Sequence, residues 1–180
     1  RKAEADRKAE AYRKAATKKR NEIVTLKNDR GTYVGKINSN GSFTGKGKFT
    51  FTSGDVYYGD FVNGRIKGKG IYTRSDGGKY EGDFVDGIKT GKGKFTWPNG
   101  HVYDGDFLDN AFTGKGKYTW PSGQVYVGGF IERKYSGIGK LTFSDGRSID
   151  GSWLNDKKHG LVREYDKNGK LIRKGFWLKD

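Results

Sequence analysis

The chain has 180 residues, with 30 glycines, 11 tyrosines, 11 phenylalanines, no cysteine and a formal net charge of +15. The absence of cysteine excludes a disulfide framework and a cysteine-based metal site. No run of residues approaches the ~20 apolar positions that a membrane-spanning helix needs. Abundant glycine and aromatic residues predict a thin sheet instead of a thick aliphatic core, and the excess of Lys and Arg favours anionic partners.

Residues 1–21 are predicted to form a charged α-helical stalk or linker. Ala, Lys, Arg and Glu are strong helix formers, and Glu4–Lys8 and Glu10–Lys14 have the favoured i,i+4 spacing. An alternative is a basic helix on a membrane or nucleic acid, but the charge is mixed and Trp, Phe and Leu are absent. The chain opens on Arg1, so we expect further sequence upstream, and any membrane anchor would lie there.

Residues 22–32 are predicted to cap the N-terminal end of a repeat array. Residues 22–26 have the composition of a short strand, and residues 28–31 that of a turn. A half-repeat of this kind would cover the first edge of the array, as the ends of repeat proteins require.

One sequence unit then recurs along the chain at a fixed spacing. It is clearest where Tyr80-Glu-Gly-Asp-Phe84 returns as Tyr103-Asp-Gly-Asp-Phe107, and self-similarity at a fixed period is typical of a repeat array. Six units are predicted over residues 33–171, and residues 172–180 form a truncated C-terminal cap. The units begin at Tyr33, Tyr57, Tyr80, Tyr103, Tyr126 and Ile149.

Alternation within a unit predicts two β-strands. Tyr80, Gly82 and Phe84 share one face, whereas Glu81 and Asp83 share the other. The next segment alternates in the same way, with glycine and aromatic residues opposite lysine and threonine. Asn-Gly and Asp-Gly pairs mark the turns. We therefore predict a mostly β fold: an elongated single-sheet antiparallel β-meander of stacked 23-residue hairpins, preceded by a short α-helix.

The pattern resembles the MORN family (membrane occupation and recognition nexus repeats), whose core is Tyr-x-Gly, a spacer, Gly-x-Gly and a turn glycine. Tyr-x-Gly stands at residues 57–59, 80–82, 103–105 and 126–128, and Gly-x-Gly at 68–70, 91–93, 114–116 and 137–139. Ile149 replaces the tyrosine and Val162 the second glycine of the last unit, which fits a capping role. The resemblance implies two uses, which are gripping protein segments and attachment at membranes.

The aromatic face is the first candidate site. Stacking within the array is one explanation of its columns, but a one-layer sheet cannot cover its own apolar face. A helix or peptide of a partner, laid along the resulting groove, would supply the missing layer. The predicted function is thus a non-catalytic scaffold or tether, with groove residues Tyr57, Phe61, Tyr80, Phe84, Phe95, Trp97, Tyr103, Phe107, Tyr118, Trp120 and Tyr126.

The charged face supports an alternative function. Its lysines either pair across strands with Asp60, Asp83 and Asp106 or bind anionic phospholipid headgroups. The second use would make the chain a peripheral membrane module. The lipid candidates are Lys46, Lys48, Lys69, Lys92, Lys94, Lys115 and Lys117.

We predict no catalytic residues, no cofactor and no metal site. His101 and His159 lie in different units, too far apart in the sequence to have metal-ligand spacing. A second alternative, the non-catalytic portion of a larger enzyme, follows from the resemblance, because MORN arrays occur fused to kinase and methyltransferase domains. We do not expect nucleic acid as a partner, since lysines and aromatics point to opposite faces.

Two further expectations concern assembly and location. The last strand, near Phe176, is an open edge that could pair with a second copy to form a homodimer. The sequence does not fix the compartment. We expect a position peripheral to a membrane, on its cytoplasmic side.

Overall fold

A computed structural model describes residues 22–178 as one antiparallel sheet of 14 strands. The strands lie side by side in chain order, so the fold is an open β-meander that is roughly 60 Å long at ~4.8 Å per strand. This confirms the predicted fold class. The predicted helical stalk of residues 1–21 lies outside the described residues.

The strands differ in length within each hairpin, seven residues alternating with nine from β2 onward. Their bounds are β1 Val24–Asn28, β2 Gly31–Ile37, β3 Phe43–Phe51, β4 Val56–Val62, β5 Arg65–Thr73, β6 Lys79–Val85, β7 Ile88–Thr96, β8 Val102–Leu108, β9 Ala111–Thr119, β10 Val125–Ile131, β11 Lys134–Thr142, β12 Ser148–Leu154, β13 Lys157–Tyr165 and β14 Leu171–Trp177.

Two kinds of turn join the strands, at the places that the sequence predicts. Within most hairpins the turn has two residues, such as Asp86 and Gly87, whose φ values of 49° and 85° are typical of a type I′ turn. The β2–β3 hairpin instead has a longer loop, residues 38–42. Between hairpins the loop is longer. There the amide of Trp97 donates to the carbonyl of His101 at 2.9 Å, and Gly100 adopts a φ of 84°.

An unbroken file of glycines crosses the sheet from β2 to β12, because the register pairs glycine with glycine on every neighbouring strand. The file consists of Gly35, Gly47, Gly59, Gly70, Gly82, Gly93, Gly105, Gly116, Gly128, Gly139 and Gly151. It has no room for side chains. A Cβ atom at Gly105 would lie 2.5 Å from the Cα of Gly116 and 2.6 Å from the hydroxyl of Tyr103.

Five core tyrosines lie across this glycine file and are completely buried. They are Tyr33, Tyr57, Tyr80, Tyr103 and Tyr126. Each hydroxyl donates to a backbone carbonyl three residues further on, as Tyr103 does to Asp106 at 2.9 Å. That carbonyl lies at a register shift in the strand ladder, between Gly105 and Asp106. The hydroxyl thus reaches a polar group where regular pairing is interrupted.

The centre of the core is a row of ten rings, beside which Phe49, Phe95 and Leu141 are also buried. Buried Phe84 makes edge-to-face contacts with Tyr57 at 5.3 Å and with Tyr80 at 5.0 Å between ring centroids, and the same alternation continues along the sheet. We call this set the ring row: Tyr33, Phe61, Tyr57, Phe84, Tyr80, Phe107, Tyr103, Phe130, Tyr126 and Trp153. Edge-to-face pairs add about 0.5–1.5 kcal/mol each beyond area burial.

The last unit changes two positions together. Ile149 stands where the core tyrosine belongs and Val162 where the file has a glycine, and both side chains are buried. Val162 is paired with Gly151 across the strands, so it projects onto the side that a tyrosine ring covers elsewhere. An aliphatic pair therefore replaces the tyrosine–glycine pair at this end of the array.

We expect Gly105→Ala to lower the free energy of unfolding by about 3 kcal/mol, because the added methyl group collides with backbone and with the Tyr103 hydroxyl. Gly78→Ala is the matched control. Its methyl group would meet the ends of the flexible Asp76 and Arg74 side chains, at 3.1 and 3.3 Å, and should cost about 0.5 kcal/mol or less. Urea unfolding followed by circular dichroism measures both. Equal stability of the two variants would contradict the close packing of tyrosine on the file.

The buried tyrosines also predict alkaline unfolding. Burial, helped by Asp60, raises the pKa of Tyr57 to about 12, and burial with the Asp55 hydrogen bond raises the pKa of Tyr72 to about 12. Unfolded tyrosine ionises near pH 10, so this stabilisation is complete below pH 10 and is lost as the pH rises toward about 12 and beyond. Urea midpoints should hold up to about pH 10 and then fall steeply. Midpoints that are flat through that window would contradict the prediction.

Candidate functional site

A second set of aromatic residues lies beside the ring row on the same face and is only half-buried. We call it the aromatic groove: Phe43, Phe51, Tyr72, Trp97, Phe112, Tyr118, Trp120, Tyr135, Phe143 and Trp177. Its rings contact one another, with 5.6 Å between the centroids of Trp97 and Tyr118 and 4.6 Å between those of Tyr118 and Trp120. Half-buried aromatics in a continuous groove are typical of a binding surface.

Two depressions meet in this groove. One, of about 600 Å³, lies over Phe49, Ile66 and Tyr72, and the other, of about 500 Å³, lies over Phe95 and Trp97. Lys89 lines both of them. Both are open to solvent and lined by aromatic side chains together with charged and polar ones, so they can accept the side chains of a partner.

The predicted groove residues divide into two groups. Seven of them belong to the buried ring row, with exposed fractions of 5% or less, and so support the floor of the groove: Tyr57, Phe61, Tyr80, Phe84, Tyr103, Phe107 and Tyr126. Phe95 is 9% exposed and lies at the boundary. Trp97, Tyr118 and Trp120 are half-buried and offer contact area directly.

In three units an aromatic residue stacks on the core tyrosine, at a place we call the cap position. Phe43 lies over Tyr33 at 3.9 Å, Phe112 over Tyr103 at 4.4 Å and Tyr135 over Tyr126 at 3.8 Å between centroids. The cap position recurs once in every unit, as Phe43, Ile66, Lys89, Phe112, Tyr135 and Lys158. Alternation counted from Gly-x-Gly onward does not predict this column, because the second strand of each unit begins before those glycines. The fixed repeat spacing does identify the column.

Like Lys158 in the last unit, Lys89 places a cation where the other four units have an aromatic or aliphatic cap. Its Nζ lies 5.5 Å from the ring centroid of Tyr72, 5.4 Å from that of Tyr80 and 5.5 Å from that of Phe95. Burial, and then the charges of Arg74 and Arg133, lower the pKa of this ammonium. Within residues 22–178, Lys89 forms no ion pair.

The charged face carries a ladder of ion pairs. The Nζ of Lys46 lies 2.9 Å from Asp60, that of Lys69 lies 3.0 Å from Asp83, and Lys92 pairs with Asp106. Lys92 and the Lys115 backbone amide lower the pKa of Asp106. In the next unit Gly129 takes the place of the aspartate opposite Lys115. Pairs this exposed contribute about 0–1 kcal/mol each.

The other four lipid candidates are exposed and, in the part of the chain that the structure describes, form no ion pair. They are Lys48, Lys94, Lys115 and Lys117. The structure thus divides the seven candidates into three paired and four unpaired lysines, all on the face opposite the aromatic groove.

The histidines lie far apart in the sheet. His101 precedes β8 and contacts the hydroxyl of Tyr118 through Nδ1 at 2.9 Å, whereas His159 lies in β13. Across residues 22–178 no three His, Asp or Glu side chains gather closely enough to hold a metal ion. The same residues include no helix that is long and apolar enough to cross a bilayer.

Comparison with known families agrees with the repeat spacing. The MORN repeat model matches six segments, which are residues 39–56, 57–79, 80–102, 103–125, 126–146 and 150–170. The chain belongs to the MORN repeat family. The aromatic groove is thus formed by MORN repeats, and the cap position is a fixed position within each of them.

Solved structures with some likeness to this MORN array come from centriole proteins. The TCP domain of Drosophila melanogaster SAS-4, in complex with a proline-rich motif of Ana2, has 12% identity and a TM-score of 0.49, covering 87% of this chain and 90% of that one. The TCP10 domain of Danio rerio CPAP, in complex with a STIL peptide, has 16% identity and a TM-score of 0.21, covering 87% and 100%. Scores this low say nothing about partners. No curated protein matches the chain.

The cap position yields a stability prediction. Lys89→Phe should raise the free energy of unfolding by about 1 kcal/mol, because the new ring can stack on Tyr80 as Phe112 does on Tyr103, and a partly desolvated cation is removed. Urea unfolding measures the difference. Lys67→Phe is the control, since Lys67 is exposed in β5 and alternation places it on the charged face. A destabilised Lys89→Phe protein would contradict the assignment of this position.

Proposed function

We propose that this MORN array is a non-catalytic scaffold that binds a protein segment, helical or extended, along the aromatic groove. The observation that carries the proposal is the second set of aromatic residues, which lies half-exposed beside the buried ring row. Three of these rings, Phe43, Phe112 and Tyr135, also cover core tyrosines, but their outer sides are not buried. Their open sides offer apolar contact area that a partner can cover.

The shape of the sheet also supports a segment as the partner. The array is one layer thick, and the aromatic groove runs along it from Phe43 in β3 to Trp177 in β14. A helix or extended chain is itself long and narrow, so it can follow such a groove and supply a second layer. The adjoining depressions at Lys89 would receive its larger side chains.

The membrane alternative uses the opposite face. Three of its seven candidate lysines already pair with aspartates, which reduces the positive charge available to headgroups. We therefore rank anionic-lipid binding second. The further alternative, a MORN portion of a larger enzyme, is compatible with either binding mode and concerns sequence beyond this chain.

The homodimer prediction concerns the outer edge of the sheet. β14 is the last strand, and its neighbourhood exposes Ile172 by 61%, Phe176 by 72% and Leu178 by 75%. Exposed apolar residues on an unpaired edge favour association with another strand. We retain this dimer as a second, independent proposal.

Groove binding can be tested by selecting phage-displayed random peptides on the immobilised chain. We expect an enriched apolar motif whose affinity falls at least about tenfold for Trp97→Ala with Trp120→Ala, because both rings supply half-exposed contact area. Lys92→Glu with Lys115→Glu, on the other face, is the matched control and should leave peptide affinity unchanged. Circular dichroism confirms that each variant is folded. Binding should survive about 0.5 M salt, since apolar contact is not screened.

Sedimentation with phosphatidylcholine vesicles, with and without phosphatidylserine, tests the membrane-binding alternative. Pelleting only on anionic vesicles, lost at high salt and in Lys92→Glu with Lys115→Glu, would favour the lysine face instead. Failure to enrich any peptide, together with such pelleting, would overturn the groove proposal.

A further inference from the structure

Two columns of the aromatic groove are each interrupted by a cation, and the interruptions adjoin. The cap column holds Lys89, whereas the column of Phe51, Trp97, Trp120 and Phe143 holds Arg74. Both residues line the same depression of about 500 Å³, where Arg133 joins them from the turn between β10 and β11. Among the described residues that line this depression, three are cationic and none is acidic.

The last repeat shows how this fold accommodates a lysine at the cap position. The Nζ of Lys158 contacts the Glu164 carboxylate and also lies 5.4 Å from the centroid of the Trp177 ring. Both members of the ion pair are largely buried, with side-chain exposed fractions of 30% and 21%. A cap lysine is therefore held by aromatic rings together with a carboxylate.

Lys89 has the rings without the carboxylate. Phe95 occupies the position that Glu164 has in the last repeat, three repeat lengths later in the sequence. Two acidic groups in the adjoining turns already form ion pairs. Asp76 pairs at 2.8 Å with Arg74, which itself lines the depression, and Asp86 pairs with Arg65 at 3.1 Å. Within residues 22–178, the Lys89 ammonium and the Arg133 guanidinium have no ion-pair partner.

We propose that the depression over Phe95 and Trp97, which Lys89 and Arg133 line, receives an aspartate or glutamate of the partner segment, flanked by apolar side chains. The inference rests on the proposed groove function and specifies its partner: an acidic, apolar peptide. The carboxylate would complete at Lys89 the arrangement that Glu164 completes at Lys158. Arg133 favours the same charge, whereas Arg74 is already paired with Asp76. The surrounding rings of Phe95, Trp97 and Phe112 receive the apolar neighbours.

Charge complementarity at a partly desolvated site contributes both affinity and selectivity. Burial and the neighbouring arginines already lower the pKa of Lys89, so an incoming carboxylate removes repulsion as well as adding attraction. A peptide with glutamine in the same place would fill the depression but leave the charges uncompensated. A basic residue there would be repelled by Lys89 and Arg133, which have no ion-pair partner among the described residues.

The test repeats the phage selection on wild type, on Lys89→Phe and on Arg74→Trp with Lys89→Phe, which restore the aromatic columns. These changes match residues that the other repeats already hold at the same positions, so the variants should fold. Wild type should enrich peptides with a fixed acidic residue among apolar ones. Both variants should enrich apolar peptides without that acidic preference. Lys67→Met, on the charged face, should behave as wild type.

A double-mutant cycle on a synthesised enriched peptide makes the test quantitative. Glu→Gln in the peptide should weaken binding to wild type about tenfold, or about 1.4 kcal/mol. The same change should alter binding to Lys89→Phe less than about twofold, because the partner charge is gone. Isothermal titration calorimetry measures the four affinities.

The outcomes separate the two proposals. Enriched peptides without an acidic preference, or an acidic preference that persists in Lys89→Phe, would overturn the carboxylate assignment and leave groove binding intact. No enrichment on any variant would overturn groove binding itself. Displacement of the peptide by phosphatidylserine vesicles in a Lys89-dependent manner would identify a lipid headgroup as the anion and overturn the acidic peptide.

Discussion

The packing of a tyrosine ring flat across paired glycines is the contact on which the rest of this structure depends. The Tyr80 hydroxyl lies 2.5 Å from where a Cβ atom would stand on either Gly82 or Gly93, so the ring and those side chains cannot coexist. The ring thus covers both strands of its own hairpin, β6 and β7, and it contacts the next hairpin through Phe107, at 4.9 Å between ring centroids. Its hydroxyl then reaches the carbonyl of Asp83 at 3.0 Å, where the ladder shifts register. One side chain thus supplies packing and a hydrogen bond together.

This contact explains how a sheet one layer thick keeps a dry core. In residues 22–178 the tyrosines are completely buried with no second sheet or helix above them, because phenylalanines meet them edge-on and cap residues cover them. The cap position therefore has to satisfy packing on one side and solvent or a partner on the other. An aromatic ring there meets both requirements, since it stacks on the tyrosine and leaves its outer side half-exposed. The repeat with Lys89 places a cation there and leaves its charge uncompensated by any described residue.

Most of the fold follows from the sequence, because the fixed repeat spacing predicts the positions of the strands, the turns and the glycine file together. The Asp86-Gly87 turn and the glycine columns could be placed from local chemistry alone. The candidate site could be predicted less well. Alternation shows on which face of the sheet a side chain lies, but not how deeply that side chain is buried. It put Tyr103 and Tyr118 on one face, yet the first is completely buried and the second half-exposed. How deeply a side chain is buried depends on its contacts with neighbouring repeats, and the repeat spacing does not reveal those contacts.

In a repeat array, residues that recur in every repeat maintain the scaffold. Residues that depart from the repeat pattern either cover an end of the array or determine which partner is bound. We predict that the paired change to Ile149 and Val162 is of the first kind, because two buried aliphatic side chains take the place of a tyrosine and a glycine. We propose that Lys89, with Arg74 beside it, is of the second kind. The two residues interrupt apolar columns in the middle of the array and line one depression, and packing alone does not require a cation there. The proposed carboxylate of a partner segment would compensate the charge of Lys89.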